Sequence, residues 1–152
     1  MRHLLLSIHV VAAIVFIGGS AVATSLFPRY APVAAGPGPD DGVCERNPAV
    51  AAALHRITGR YAVAGLIVPV VGMILAAVQG RMGEIWITLA IALTGIAAGI
   101  IGTVIHPMQR EALRTPDDGR RLRTLGMLAG IYNLLWLIVV VLMIVRPGAH
   151  QL

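Results

Sequence analysis

The chain is 152 residues long, 57% hydrophobic and only 12% charged, about half the charged share of an ordinary soluble domain. That excludes a water-soluble globular protein and an intrinsically disordered one, and the 17 glycines follow no three-residue period, which excludes a collagen-like chain. The net charge of +5 comes from arginine alone, with no lysine anywhere in the chain, so the placement of the basic residues carries more information than their sum.

Four long apolar stretches separated by three polar breaks are each close to the roughly 20 residues an α-helix needs to cross about 30 Å of hydrocarbon. They predict an all-α fold, an integral membrane four-helix bundle running up-down-up-down, as one domain over 1–152. The first helix is read over 4–27, with Pro28 and Tyr30 breaking it into a loop over 28–47. Arg2 precedes it, but its apolar run exceeds the core of a signal peptide, about 7–15 residues, so it is read as a retained span. Within the loop, Gly36-Pro37-Gly38-Pro39 followed by Asp40, Asp41 and Gly42 cannot propagate a helix. Cys44 is the only cysteine and forbids an intrachain disulfide.

Asn47 followed by Pro48 reads as a capping residue and a first helical position. The second helix, read over 48–79, therefore starts before the bilayer, carries Leu54, His55, Arg56 and Arg60 on its first turns, and spans from Arg60 to Gln79. Pro69 should kink it and free a backbone carbonyl that a neighbouring helix must satisfy. The third helix is read over 85–110, apolar from Ile85 to Ile105, with Trp86 at the position of an interfacial anchor. Thr115-Pro116-Asp117-Asp118 reads as a helix start, with carboxylates against the positive dipole end. The fourth helix is accordingly read over 116–145, apolar from Leu125 to Val145 and stopped by Arg146 and Pro147.

Positively charged short loops stay in the cytoplasm. The first and third connections and their flanking turns hold nine arginines, Arg29, Arg46, Arg56, Arg60, Arg110, Arg114, Arg120, Arg121 and Arg123, and the opposite side holds three, Arg2, Arg81 and Arg146. The expected orientation in a bacterial cytoplasmic membrane puts both termini outside and both long connections in the cytoplasm, where Cys44 stays a free thiol. The same arginines meet anionic lipid headgroups. Nucleic acid is not an expected partner, because no aromatic-basic interleaving suited to base stacking is present.

Helices in lipid associate through small residues and a few hydrogen bonds. Gly95 and Gly99 on the third helix, and Gly126 and Gly130 on the fourth, have GxxxG spacing. The second helix offers Gly72, Ala76 and Gly80, and the first Ser20 and Thr24. Packing of the monomer is the plainer reading of these faces, and a surplus face suits a homodimer or a larger membrane complex. Asn133, near Tyr132 and Trp136 in the fourth span, is either packing glue or the floor of a site.

No phosphate loop, GxSxG elbow or HExxH helix is present, and the spans contain no Asp, Glu or Lys, Glu84 lying at an interface. A proton-coupled carrier would be expected to keep an ionisable group in its path, and nothing points to a stand-alone enzyme. Histidine remains as the candidate ligand for haem or a metal. His3 and His150 are terminal and read as solvated. His9 lies inside the first span, about 27 Å from the far end of its helix at 1.5 Å per residue, so it cannot share an iron with His55. His55 and His106, near the same ends of the second and third helices, form the permitted pair, or else two interfacial histidines bonded to headgroups or loop carbonyls. Partners for His9 would be Gln79, Met73 or Met143, and the alternative is a hydrogen-bonded packing histidine.

Two stretches carry a family resemblance. The opening Leu5-Leu6-Ser7-Ile8-His9-Val10-Val11-Ala12-Ala13-Ile14-Val15-Phe16-Ile17-Gly18-Gly19 is similar to the His, apolar run and Gly-Gly that open an uncharacterised family of small four-helix bacterial membrane proteins. The closing Met143-Ile144-Val145-Arg146-Pro147 resembles that family's Met-x-x-Lys/Arg-Pro ending. The opening also resembles that of copper-resistance D-type membrane proteins and membrane-bound protoporphyrinogen oxidases, which bind haem. The resemblance implies His9 as a candidate ligand of haem b. The lysines expected of the oxidases are missing, and the uncharacterised family has no activity to transfer. Two functions follow as expectations: a haem-binding, redox-associated membrane protein using His9, or His55 with His106, and an accessory subunit docking its glycine faces in a larger complex.

Overall fold

A computed structural model describes residues 2–34 and 46–147; Cys44, His150 and most of the glycine-proline loop lie outside them. Four helices account for nearly all of the described residues: α1 (His3–Tyr30), α2 (Pro48–Val78), α3 (Ile85–Arg114) and α4 (Arg120–Val145), each long and apolar enough to cross a membrane. They pack as one bundle, with α1 against α2 and α4, and α3 against α2 and α4. The first and third connections share one end, where the Ala34 N–H donates to the Asp117 carbonyl at 2.9 Å. This is the loop end; the other, carrying the start of α1, the α2–α3 turn and the end of α4, is the terminal end. Large apolar side chains such as Leu4, Ile14, Val63, Ile85, Leu137 and Ile144 are exposed all round the bundle. Water would penalise such a surface and lipid does not, so the outer faces are built for contact with a bilayer.

Local chemistry explains where the helices start, stop and bend, and it corrects several boundaries. α1 runs through Pro28 to Tyr30, because Pro28 lies in the last turn and the Ala31 N–H still closes on the Phe27 carbonyl at 3.0 Å. α2 is capped by Asn47, whose Oδ1 accepts from the Ala49 and Val50 N–H groups at 3.0 and 3.3 Å. It breaks at Gly65–Leu66, where Leu66 and Val68 donate to carbonyls three residues back at 3.2 and 3.1 Å. This is the bend expected from Pro69, with the proline's missing donor absorbed by a tightened turn. α2 ends at Val78, one residue before the expected Gln79. There the N–H groups of Gly80 (φ 68°) and Arg81 bond the Ala77 and Ala76 carbonyls, a glycine-dependent C-terminal cap.

α3 continues to Arg114 rather than 110, after a π-helical run over Ile100–Ile105 that ends two residues before Pro107, where the regular ladder lacks a donor. α4 begins at Arg120 rather than 116. Thr115 does not cap it; its hydroxyl bonds the Glu111 carbonyl and carboxylate at the end of α3. Asp117 does the capping, accepting from the Gly119 and Arg121 N–H groups, both at 3.0 Å, with Gly119 in the left-handed region at φ 86°.

The packed core is lopsided. Phe27, Ala31, Ala51, Ala97, Ile101, Ile105, Ala112, Leu122, Leu125 and Tyr132 form one buried cluster, which runs from the loop end to about the middle of the bundle. Polar links stitch this half together. The Ser20 hydroxyl donates to the Ile17 carbonyl at 2.9 Å, so the Tyr132 hydroxyl, 2.8 Å away, is the donor in the Ser20–Tyr132 bond that joins α1 to α4. The terminal half lacks such a cluster and is hollow instead.

Candidate functional site

The hollow is a half-enclosed chamber of about 250 Å³ lined by all four helices. α1 contributes Leu6, His9 and Val10, and α2 contributes Pro69, Gly72, Met73, Leu75, Ala76 and Gln79. α3 adds Trp86, Ile87, Ala90, Ile91 and Thr94, and α4 adds Met143 and Arg146, with Arg81 from the α2–α3 turn at the mouth. The wall is apolar apart from a few groups: His9 in the interior, Thr94 and Gln79, and the two arginines. The bend of α2 and the Gly72 backbone open this space.

His9 is 8% exposed. Its Nδ1 stands 3.0 Å from the Val68 carbonyl oxygen. A carbonyl only accepts, so Nδ1 carries the proton and Nε2 carries the lone pair. No described residue bonds to Nε2. The ring rests on Gly72, where a Cβ would come within 2.9 Å of Cε1. This tautomer, fixed by an Nδ1–H···O=C bond, is the one that presents Nε2 to a metal or to a hydrogen-bond donor. Of the partners expected for His9, Gln79, Met73 and Met143 all line the same chamber. The carbonyl that Pro69 leaves without its helical donor is that of Gly65, and the Val68 N–H takes it within α2 at 3.1 Å rather than a neighbouring helix; the His9 bond to the Val68 carbonyl is a separate link between α1 and α2.

His55 and His106 do come together at the loop end, but face to face. Their rings stack with centroids 4.3 Å apart and planes 18° apart. His55 Nδ1 donates to Gln109 Oε1 at 3.3 Å, and Gly59 makes room for His106, since a Cβ there would lie 2.7 Å from Nε2. Stacked imidazoles hold their nitrogens side by side rather than opposed across an iron, so an axial pair would require the rings to separate. Gln109 is fully buried and its Nε2 has no partner among the described residues. Along α2, Gly59 and Gly72 are thirteen residues apart, about 20 Å at 1.5 Å per residue, so the two histidine sites are separate. Among the described residues no group of three or more His, Cys, Asp or Glu converges to hold a metal.

The glycines sort differently from their sequence pattern. Gly95, Gly99, Gly126 and Gly130 lie on exposed faces, and a Cβ at any of them would meet nothing within 4 Å. They do not pack this monomer, because both GxxxG faces turn away from the bundle axis. The close approaches to another helix are at Gly19, where a Cβ would run into the Tyr61 ring, and at Gly59 and Gly72. Each seats an aromatic or imidazole ring of another helix, which no spacing rule reveals. Asn133 is glue: its Nδ2 donates to Ser25 Oγ at 3.0 Å, joining α4 to α1, and it does not line the chamber.

Fold and site together define a small four-span α-helical membrane protein with a histidine-bearing chamber in one half of the bundle. Comparison with family models, with curated proteins and with solved structures finds no match. The likeness of its opening and closing stretches to small bacterial membrane proteins is one of short motifs, and no family is assigned.

Proposed function

We propose that the chain is an integral protein of the bacterial cytoplasmic membrane, termini outside and long connections inside, that binds haem b through His9 in a redox-associated, non-catalytic role. The observation that carries this reading is the Nδ1–H bond of His9 to the Val68 carbonyl, which leaves the Nε2 lone pair as the group that would hold an iron in an apolar chamber. Met73 and Met143 line the same space and supply thioethers of the kind that suit haem iron. The enclosed volume, about 250 Å³, is below the usual range for small-molecule sites, about 300–1,000 Å³, so the chamber would hold only part of a tetrapyrrole. When bound, the iron supplies one-electron chemistry. His9 would hold it, with the imidazole fixed by the Val68 carbonyl, and the apolar walls would limit its contact with water.

The test is a visible spectrum of the protein in detergent before and after adding hemin. A Soret band that His9→Ala abolishes and His55→Ala leaves intact supports the reading. A wild-type protein that stays colourless and leaves the hemin spectrum unchanged rejects it.

One observation favours a second role, as an accessory subunit: the open GxxxG faces of α3 and α4, where other backbones can approach closely. Native electrophoresis of the membrane extract should then show an assembly larger than the monomer, broken by Gly99→Leu. A monomer alone rejects this role without touching the chamber.

A further inference from the structure

We infer that the chamber takes its ligand with a carboxylate at the terminal surface, held by Arg146. The inference rests on the His9 chamber as a binding site and adds the chemical class of its occupant, an anionic amphiphile with an apolar body. Two arginines stand at the mouth, and they are not equivalent. Arg81 Nε is paired with Glu84 Oε1 at 2.8 Å, so its charge is already matched. The other oxygen of Glu84 accepts from the Trp86 indole N–H, which fixes the indole. The Arg146 guanidinium lies over that ring, 5.8 Å from its centroid.

Arg146 has no carboxylate partner among the described residues. Its one hydrogen bond from the side chain there is Nε to the Met143 carbonyl at 3.2 Å, and its terminal nitrogens remain available as donors. Its positive φ, 48°, is that of the left-handed residue that ends α4, with its backbone N–H bonded to the Leu142 carbonyl. A guanidinium at the rim of a chamber and an imidazole lone pair in its interior give the site two polar ends joined by an apolar wall. Along α2 the separation from Gly72, under His9, to Gln79 at the mouth is seven residues, about 10 Å at 1.5 Å per residue. A molecule that satisfies both ends is flat or extended, apolar in its middle, and carboxylated at the edge facing water. Guanidinium and carboxylate form a charge-assisted pair, and here it sits at the edge of a low-dielectric wall.

The experiment compares hemin with its dimethyl ester, which has the same ring and iron but no carboxylates, by spectroscopic titration of the wild-type protein, Arg146→Lys and Arg146→Asn. Asparagine keeps the backbone comfortable at positive φ, and circular dichroism controls for folding. The free acid should bind the wild type about tenfold more tightly than the ester, the effect of one charged contact. Arg146→Lys should retain most of that preference, and Arg146→Asn should abolish it. Equal affinity for acid and ester in the wild type overturns the inference, as does a preference that survives in Arg146→Asn. If neither porphyrin binds, the haem reading fails, and dodecanoate against its methyl ester then decides the carboxylate question. A preference for the acid that depends on Arg146 supports the inference, and its absence overturns it.

Discussion

His9 and Gly72 work as a unit. The imidazole reaches the Val68 carbonyl only because residue 72 has no side chain, and a methyl there would come within 2.9 Å of Cε1. Gly72→Ala must therefore push the ring off its acceptor, and it should cost about 1–3 kcal/mol through overpacking and a lost hydrogen bond. Gly99→Ala is the control: the space around it is open, and alanine is the better helix former by roughly 1 kcal/mol. Denaturation in mixed detergent micelles should show the first variant weakened and the second unchanged or strengthened. Equal effects would mean that His9 is not seated on Gly72. Hemin affinity should fall in Gly72→Ala, where the methyl displaces the ring and enters the chamber lining, and stay unchanged in Gly99→Ala, which does not line the chamber.

The start of α4 is held by Asp117 rather than by Thr115. The N–H of Arg121 is the main reason its carboxyl lies below the usual carboxylate range, helped by the N–H of Gly119 and the charge of Arg121. A carboxyl whose folded pKa is depressed adds stability that is complete above its unfolded value, about 3.9. That contribution is lost as pH falls through the lower folded value. Hydrogen exchange at Leu122–Thr124 should accordingly be slow relative to the intrinsic rate at pH 6 and lose protection towards pH 3. Asp117→Asn should remove the pH dependence. A wild-type protection factor that stays flat over this range would show that the cap is not electrostatic. The same residue's carbonyl receives the Ala34 N–H, so fraying here should also loosen the first connection from the third.

Across the whole bundle, one half is packed and the other hollow, and the two halves differ in charge. The loop end holds nine arginines and the terminal end three, the bias on which the proposed orientation, loop end in the cytoplasm, rests. In a Cys44→Ser background, Gly83→Cys should react with a membrane-impermeant maleimide on intact cells, and Asp118→Cys should react only after lysis. The reverse pattern would invert the orientation and put the chamber mouth inside the cell. The chamber's position gives this result functional weight, because its mouth, with Arg146 and Trp86, opens at whichever surface carries the termini.

The sequence by itself determined the class of this protein. Four apolar runs near the bilayer length and an arginine bias need no tertiary contact to be read, because hydrocarbon thickness and loop charge act on each segment separately. His9 was legible for the same reason: it is a polar side chain in a run that has almost no others. Helix ends were legible where the capping residue adjoins the helix, as at Asn47, and misread where it reaches in from a turn, as at Asp117. What only the tertiary structure decided was which way each face turns and which groups meet. The GxxxG pairs at Gly95, Gly99, Gly126 and Gly130 face outward, while Gly19, Gly59 and Gly72, on no shared spacing, receive rings from other helices. Rotation of a helix about its own axis is set by contacts with its neighbours, and so the pairing of His9 with Val68, the stacking of His55 on His106 and the placing of Arg146 over Trp86 belong to the packed bundle alone.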